Sequence, residues 1–244
     1  MGRPPVTRTT AAARFVATHS VLTLDARHPF AAKSLVDAQE MHRTVMSGFR
    51  GWVADGEADA RAQMGVLSTW SVDLKAAALV IVVQSRVPGD WSRIPQAAMT
   101  SRPRIITVDR TFRVGDVMEF RTVVNPVRSV PTEAPASEKV RGKRVAHTRP
   151  EHVKEWFVRR LQPEGEPRSG PKGTVRIGAT ADEGALAVRM LPTVSSAGSH
   201  KGLRIVRAEL RGKLTVTDPQ ALADTLAEGI GHGRAYSCGL LLTR

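Results

Sequence analysis

Residues 203–244 read LRIVRAELRGKLTVTDPQALADTLAEGIGHGRAYSCGLLLTR, and this run decides how the second half of the chain folds. The β-branched and apolar residues of 203–217 predict a long strand. Asp218 is a typical helix N-cap and Pro219 suits the first helical position, after which apolar residues recur at helical spacing. A last strand is predicted over 236–242. The run therefore predicts a strand, a helix and a strand that completes a sheet.

Four glycines separate that helix from the last strand: Gly229, Gly231, Gly233 and Gly239. Glycine serves where the backbone needs a positive φ or where another group must come close. One interpretation is a helix C-cap at Gly229. The other is a loop whose backbone approaches a ligand. Both can hold at once.

The rest of the chain predicts two similar α+β units. In the first half, strand, helix, two strands, short helix and strand are predicted over 15–24, 35–49, 64–72, 77–85, 91–99 and 117–127. This β-α-β-β-α-β order is that of a ferredoxin-like unit. After a proline-rich connection near 126–140, the second half adds a helix over 151–161 and strands over 174–179 and 185–191. We predict two tandem ferredoxin-like domains, with a disordered extension at 1–13, an N-terminal domain at 14–128, a linker at 129–138 and a C-terminal domain at 139–244.

The charge of the chain favours a polyanionic partner. Its 36 lysines and arginines against 23 acidic residues give a net charge of +13. Nucleic acid is the first candidate and an anionic membrane surface the second. No run of about 18 apolar residues is present and the start lacks the apolar core of a signal peptide. With Cys238 as the one cysteine, no internal disulfide or cysteine-rich zinc site can form. We expect a soluble cytoplasmic protein that does not bind a membrane.

The basic residues concentrate between 139 and 160. This segment holds only two acidic residues, Glu151 and Glu155, and is the predicted phosphate-facing surface. The alternative is a solvated helix face next to a charged linker. A single tyrosine among 5% aromatic residues argues against a stacking platform for single strands, so a folded RNA read by shape and phosphate fits better. The basic residues of the segment are Lys139, Arg141, Lys143, Arg144, Arg149, Lys154, Arg159 and Arg160.

Histidine is the main candidate for a catalytic residue. The sequence lacks the known nucleotide-binding, metalloprotease and esterase motifs, and it has no cluster of carboxylates with metal-ligand spacing. His42, in DAQEMHRTVMSGF, lies about 40° from the centre of the apolar face of its predicted helix. A group there can be partly buried and still reach a ligand. Its ordinary pKa of about 6.5 suits proton transfer near neutrality, and Arg43 beside it could hold a phosphate. The alternative is a histidine that only fills the rim of the helix.

Four segments together resemble the CasE-type CRISPR RNA endoribonucleases. They are LVDAQEMHRTVMSGF (35–49), FRTVVNPVRS (120–129), GKRVAH (142–147) and the long C-terminal run at 210–243. The resemblance runs in order through nearly the whole chain after residue 13. It implies two ferredoxin-like domains, cleavage of CRISPR precursor RNA at the base of the repeat stem-loop, and retention of the guide RNA among the other subunits of a type I-E Cascade complex. It also implies that no metal and no cofactor are needed.

The resemblance assigns roles to single residues. His42 falls on the family's catalytic histidine, and Arg43 on the basic residue that often follows it. Gln39 stands one helical turn earlier, where the family carries a tyrosine, and cannot supply a phenolic proton; Gln39 and Arg43 remain possible catalytic support. Ser237 occupies a position where glycine is usual. The predicted RNA-binding residues, from the charge segment and the resemblance together, are Arg141, Lys143, Arg144, Arg159, Arg160, Gly229, Gly231, Gly233, Arg234 and Ser237.

The implied reaction uses the RNA's own 2′-hydroxyl. Held in line with the neighbouring phosphorus, this group displaces the 5′-oxygen and leaves a 2′,3′-cyclic phosphate and a 5′-hydroxyl. His42 would move the protons, as acid or as base. A non-catalytic RNA-binding subunit of the same kind of complex is the alternative. A general double-stranded RNA binder would not explain the context of His42 and the glycine loop together.

Overall fold

The computed structural model describes residues 12–53, 57–130, 143–196 and 202–244. Its first half is a four-stranded sheet in which every neighbouring pair is antiparallel. The strand order, β2-β3-β1-β4, is that of a ferredoxin-like unit. The strands are β1 (Ala12–Asp25), β2 (Leu67–Asp73), β3 (Ala78–Ser85) and β4 (Arg104–Arg113).

The helix predicted over 35–49 is two helices with a break at Asp37. They are α1 (Pro29–Val36) and α2 (Ala38–Met46), and the short α3 (Ala60–Gln63) follows before β2. Asp37 is extended and its carboxylate accepts from the backbone N–H of Gln39 at 2.7 Å and of Glu40 at 3.4 Å. This N-cap starts a new helix whose direction differs from that of α1 and which carries His42.

The fourth strand of the first sheet differs from the prediction. It is β4, whereas the predicted strand near 117–127 is β5 (Val117–Val124), which pairs in the second sheet. β4 was missed because it is an edge strand with mostly exposed side chains, so it lacks the apolar signature of a buried strand. The helix predicted over 91–99 is only a 3₁₀ turn at Gln96–Ala98. The second sheet therefore already begins with β5, before the predicted domain boundary at 128.

The second half inserts a hairpin after β5. Strands β6 (Val127–Val130) and β7 (Lys143–Ala146) pair antiparallel with each other only, among the described residues. The predicted linker at 129–138 thus begins inside β6. Residues 131–142, with Arg141, lie outside the described residues, as do residues 1–11 of the predicted extension; Ala12 and Ala13 already belong to β1.

The second sheet completes the second ferredoxin-like unit. Its path is β11-β5-β10-β8, β9 also pairs with β10, and all neighbours are antiparallel. Asp218 caps α5 by accepting from the N–H of Ala221 at 3.0 Å, which confirms that prediction. The fold is therefore α+β with two tandem ferredoxin-like units. The elements are α4 (Pro150–Val158), β8 (Ala179–Thr180), β9 (Ala187–Ser195), β10 (Arg204–Val216), α5 (Pro219–Glu228) and β11 (Leu241–Thr243).

The two units share a core. Helix α5 of the second unit packs on β1 of the first, so Phe15 and Phe112 lie in one apolar cluster with Leu222 and Leu226. The side-chain amide of Gln84 donates to the carbonyl of Leu226 at 2.6 Å across this contact. The chain that leaves α5 is thereby held against the first sheet, near α2.

Candidate functional site

His42 lies at the rim of α2, as predicted. Met41 and Val45 on the same helix are 2% and 3% exposed and form part of the first unit's core, whereas His42 is half-buried. Burial lowers the pKa of His42 below its ordinary value, and the charges of Arg61 and Arg43 lower it further, against a hydrogen bond with the Ala235 backbone that raises it. The imidazole is therefore mostly neutral at neutral pH.

The C-terminal glycine loop supplies the other side of the site. Its 3₁₀ turn, Arg234–Tyr236, packs on α2. The Tyr236 ring lies 6.2 Å from that of His42, centroid to centroid, at 58° between their planes. Because the Ala235 hydrogen bond favours the protonated ring, its acceptor is the carbonyl of Ala235. A carbonyl only accepts, so the nitrogen facing it carries hydrogen and the other nitrogen of the neutral ring presents a lone pair.

Two buried residues, Ser237 and Gly229, fix the position of the loop through contacts inside the protein. Ser237 is 1% exposed, and its hydroxyl is hydrogen-bonded at 3.0 Å to that of Ser68 on β2. Gly229 has a φ of +78°, and its N–H donates to Thr225 at 2.8 Å, which confirms the C-cap. A Cβ on Gly229 would lie 3.0 Å from the Gly239 carbonyl. Both residues were predicted to contact RNA; the structure shows them buried, with contacts inside the protein.

Gly231 and Gly233 fit the loop against the second unit. A Cβ on Gly231, at a φ of +73°, would lie 2.9 Å from the Trp156 ring. A Cβ on Gly233 would lie 3.2 Å from the Asn125 side chain. Between them, His232 forms an isolated bridge with Asn125. Glycine is thus needed at both positions because Trp156 and Asn125 occupy the space of a side chain. This close packing allows the loop to run from the second sheet to His42.

Arg61 belongs to the site although the sequence analysis did not single it out. Its guanidinium donates from Nη1 to the carbonyl of Val66 at 2.7 Å. It is close enough to His42 to lower that pKa, and burial together with the charge of Arg234 lowers its own. Arg61 stands in no motif and in no basic cluster, so the only local signal was its place on α3, just before β2.

Gln39 and Arg43, the predicted supporting residues, lie on the same helix as His42. Arg43 is exposed and forms an ion pair with Glu40, which also pairs with Lys33 at 3.0 Å. Gln39 is half-buried, one turn before His42. Arg43 thus shares one carboxylate with Lys33, whereas Arg61 forms no ion pair within the described residues and is influenced by Asp59.

Positive charge continues from His42 towards the hairpin. The Nε atom of Arg234 is buried and has no hydrogen-bond partner among the described residues. Burial lowers the pKa of the neighbouring His232, and the charges of Arg144, Arg234 and Arg160 lower it further. Arg61, Arg234, His232 and Arg144 therefore form a chain of electrostatically coupled groups, which we call the cationic track.

The predicted basic residues near the hairpin divide into two kinds. Lys143 and Arg144 on β7 are exposed, and Arg159 is exposed with only Glu155 at 3.7 Å. Arg160 instead lies over the Trp156 ring at 3.4 Å and donates to the Trp156 carbonyl at 2.5 Å. Burial lowers the pKa of Arg160 to about 10. Arg160 thus supports the surface that the other three present to solvent.

A sequence profile of the family described as CRISPR associated protein matches residues 19–244. The chain belongs to this family. It is 28% identical over 228 residues to the CRISPR-associated endoribonuclease Cse3 of Thermus thermophilus, which spans 90% of this chain and 96% of the relative.

Solved structures of CRISPR proteins share the fold. Thermus thermophilus Cse3 bound to an RNA representing a pre-cleavage complex matches with a TM-score of 0.68 at 23% identity, over 94% of this chain and 100% of that one. The CRISPR-associated protein Cas6e from Escherichia coli K-12 matches with a TM-score of 0.60 at 19% identity, over 93% and 98%. At these identities the match establishes the architecture.

Within the described ranges, no helix is long and apolar enough to cross a bilayer. In the same residues, histidine, cysteine and carboxylate side chains do not gather in threes around a point where a metal ion could sit. Cys238 is fully buried, and burial raises the pKa of its thiol to about 12.

Proposed function

We propose that this protein is an endoribonuclease that cleaves CRISPR precursor RNA at the base of the repeat stem-loop and keeps the guide RNA within Cascade. One observation carries the proposal: His42 is held at the rim of α2 by the turn Arg234–Tyr236, with the cationic track leading away from it. Membership of the family and the 28% identity to a protein named an endoribonuclease support it.

The geometry favours His42 as the general base. The Ala235 carbonyl fixes hydrogen on one ring nitrogen, and the lowered pKa keeps the other nitrogen free to accept a proton. That nitrogen takes the proton of the 2′-hydroxyl. The 2′-oxygen forms a bond to phosphorus, the bond from phosphorus to the 5′-oxygen breaks, and the leaving oxygen takes a proton from water. The products are a 2′,3′-cyclic phosphate and a 5′-hydroxyl.

The reaction needs positive charge near the phosphate, and arginine can supply it without a metal ion. Negative charge builds on the phosphate oxygens as the 2′-oxygen attacks, and fixed guanidinium groups stabilise it. Arg61 is close enough to His42 to lower its pKa, and Arg234 belongs to the turn that packs on α2. Metal independence is thus part of the proposal.

The exposed cations of the hairpin fit the stem of the repeat. Lys143 and Arg144 on β7 and Arg159 at the end of α4 are exposed, and the charge of Arg144 acts on His232. Exposed cations of this kind bind a helical RNA through its phosphates. The cationic track would lead the strand at the base of the stem to His42. This arrangement supports our proposal that cleavage occurs at the junction of stem and single strand.

A gel assay on a labelled repeat hairpin tests the proposal. We expect the parent protein to cut once at the 3′ base of the stem, with or without EDTA, and to fail on a hairpin with a 2′-deoxy nucleotide before that phosphate. His42→Ala should bind the hairpin nearly as tightly and cut it about 10²- to 10⁴-fold more slowly. Cleavage of the 2′-deoxy hairpin would overturn the chemistry.

The alternative is a non-catalytic RNA-binding subunit, and Gln39 is the observation that favours it. Gln39 cannot exchange a proton in the place where the resemblance expects a tyrosine. Tight binding of the hairpin by the parent without any cleavage would decide for this alternative.

A further inference from the structure

We infer that Arg61 and Arg234 together bind the non-bridging oxygens of the phosphate on which His42 acts. This inference rests on the proposed function for the identity of the anion. The two residues come from opposite ends of the chain, Arg61 from α3 and Arg234 from the C-terminal turn.

Both guanidinium groups have donors to spare, and that of Arg61 is also held by a hydrogen bond. Arg61 uses Nη1 for the Val66 carbonyl at 2.7 Å, and no other hydrogen bond of its side chain is formed with the described residues. Arg234 has its Nε buried and without a partner in the described part of the chain. Since a guanidinium carries five N–H donors in a planar fork, each residue can offer a pair of them to an oxyanion.

The charges around Arg61 leave a deficit of negative charge. The turn Arg234–Tyr236 packs on α2 and β2, and Val66, which anchors Arg61, directly precedes β2. The charges of Arg61 and Arg234 act on each other, and Asp59 is the carboxylate that acts on Arg61. Arg43, whose charge also acts on His42, is paired with Glu40, which it shares with Lys33. Two half-buried like charges side by side are costly unless an anion lies between them. A phosphate group would supply that anion.

The position beside His42 gives the pair a part in the reaction. As the 2′-oxygen attacks, charge on the two non-bridging oxygens increases, so donors aimed at them bind the transition state more tightly than the substrate. Arg61 should therefore affect the rate of cleavage more than the affinity for RNA. Exposed cations of the hairpin should do the reverse.

Single-turnover cleavage at saturating protein tests this role, with Arg61→Gln as the variant and Arg27→Gln as the control, because Arg27 is an exposed arginine that pairs with Asp25 at the end of β1. We expect Arg61→Gln to cut about 10²- to 10³-fold more slowly, the cost of losing one fixed donor to an oxyanion. Its hairpin affinity should change by less than about threefold, and Arg27→Gln should cleave within about threefold of the parent. Parental cleavage by Arg61→Gln would overturn the inference, provided its melting temperature matches the parent.

A second measurement does not depend on cleavage. The pKa of His42 is followed by NMR in the free protein while inorganic sulfate, a phosphate mimic of constant charge, is added. Sulfate at the Arg61–Arg234 pair should raise the pKa of His42 in the parent and in Arg27→Gln, and should have little effect in Arg61→Gln. An equal response in all three proteins would overturn the site. If sulfate responds as expected but no RNA is cut, the site stands and the proposed function fails.

Discussion

Tyr236 lies against His42, with 6.2 Å between the ring centroids, although the two residues stand near opposite ends of the chain. The contact exists because the loop after α5 is anchored at Ser237 and turns its Arg234–Tyr236 segment onto α2. The backbone of that turn fixes the imidazole through Ala235. His42, the proposed catalytic group, is therefore oriented by a segment that follows α5 of the second unit.

The Tyr236 ring should matter more than its hydroxyl. Tyr236→Phe keeps the packing on α2 and should cleave within about threefold of the parent, whereas Tyr236→Ala removes the support and should cost about tenfold or more. Single-turnover cleavage measures both. A loss of about a hundredfold in Tyr236→Phe would show instead that the phenol moves a proton, the role that Gln39 cannot fill.

The pH dependence of cleavage follows from the lowered pKa of His42. A base acts in its neutral form, so the rate should rise with pH and level off above the pKa of His42, which lies below the ordinary value of about 6.5. Arg61→Gln removes a positive charge and should move this midpoint to higher pH. A single-turnover pH profile tests both points, and a rate that falls between pH 5 and 7 would identify His42 as the acid.

Replacement of Gly231 should destabilise the fold. In Gly231→Ala the new Cβ would lie 2.9 Å from the Trp156 ring at a φ of +73°, so strain and a clash add up. We expect a loss of about 2–4 kcal/mol in the free energy of unfolding. Gly115→Ala is the control, since its φ is +88° with nothing within 4 Å of the new Cβ, so it carries the strain alone. Equal melting temperatures for the two variants would refute the packing role of Gly231.

The exposed cations of β7 should contribute to the salt dependence of RNA binding. Lys143→Ala with Arg144→Ala should weaken hairpin binding and flatten its salt dependence by the loss of up to two phosphate contacts. Arg27→Ala with Lys75→Ala removes the same charge from the end of the first sheet, where Ala26 donates to Ala77, and serves as control. A filter-binding salt titration with equal slopes for both double variants would place the RNA elsewhere.

Local rules predicted several elements correctly. The strand β10, the N-cap Asp218 and helix α5 follow from residues that are neighbours in the sequence. The rim position of His42 follows from the helical period alone, and it is confirmed even though the predicted helix is broken at Asp37. These features depend on short-range geometry, which a sequence displays directly.

Neither the place of Arg61 in the site nor the sheet to which β5 belongs could be predicted from local sequence patterns. A strand's sequence tells which of its faces is buried, but not which strand it pairs with, so β5 was given to the wrong sheet. Arg61 is surrounded in the sequence by nothing that marks a site. Its role in the site depends on interactions with Arg234 and His42, and only folding brings these residues near it.

The sequence by itself determined the two α+β units, the surplus of positive charge and the placing of His42 at the edge of a helix, because each depends on composition or on the period of one element. Only the tertiary structure decided what the glycines are for and what surrounds His42. Trp156 limits the space for a side chain at position 231, and the hydrogen bond with the Ala235 carbonyl orients His42. Both are contacts between distant parts of the chain, whose distances exist only once the two sheets have packed around α5.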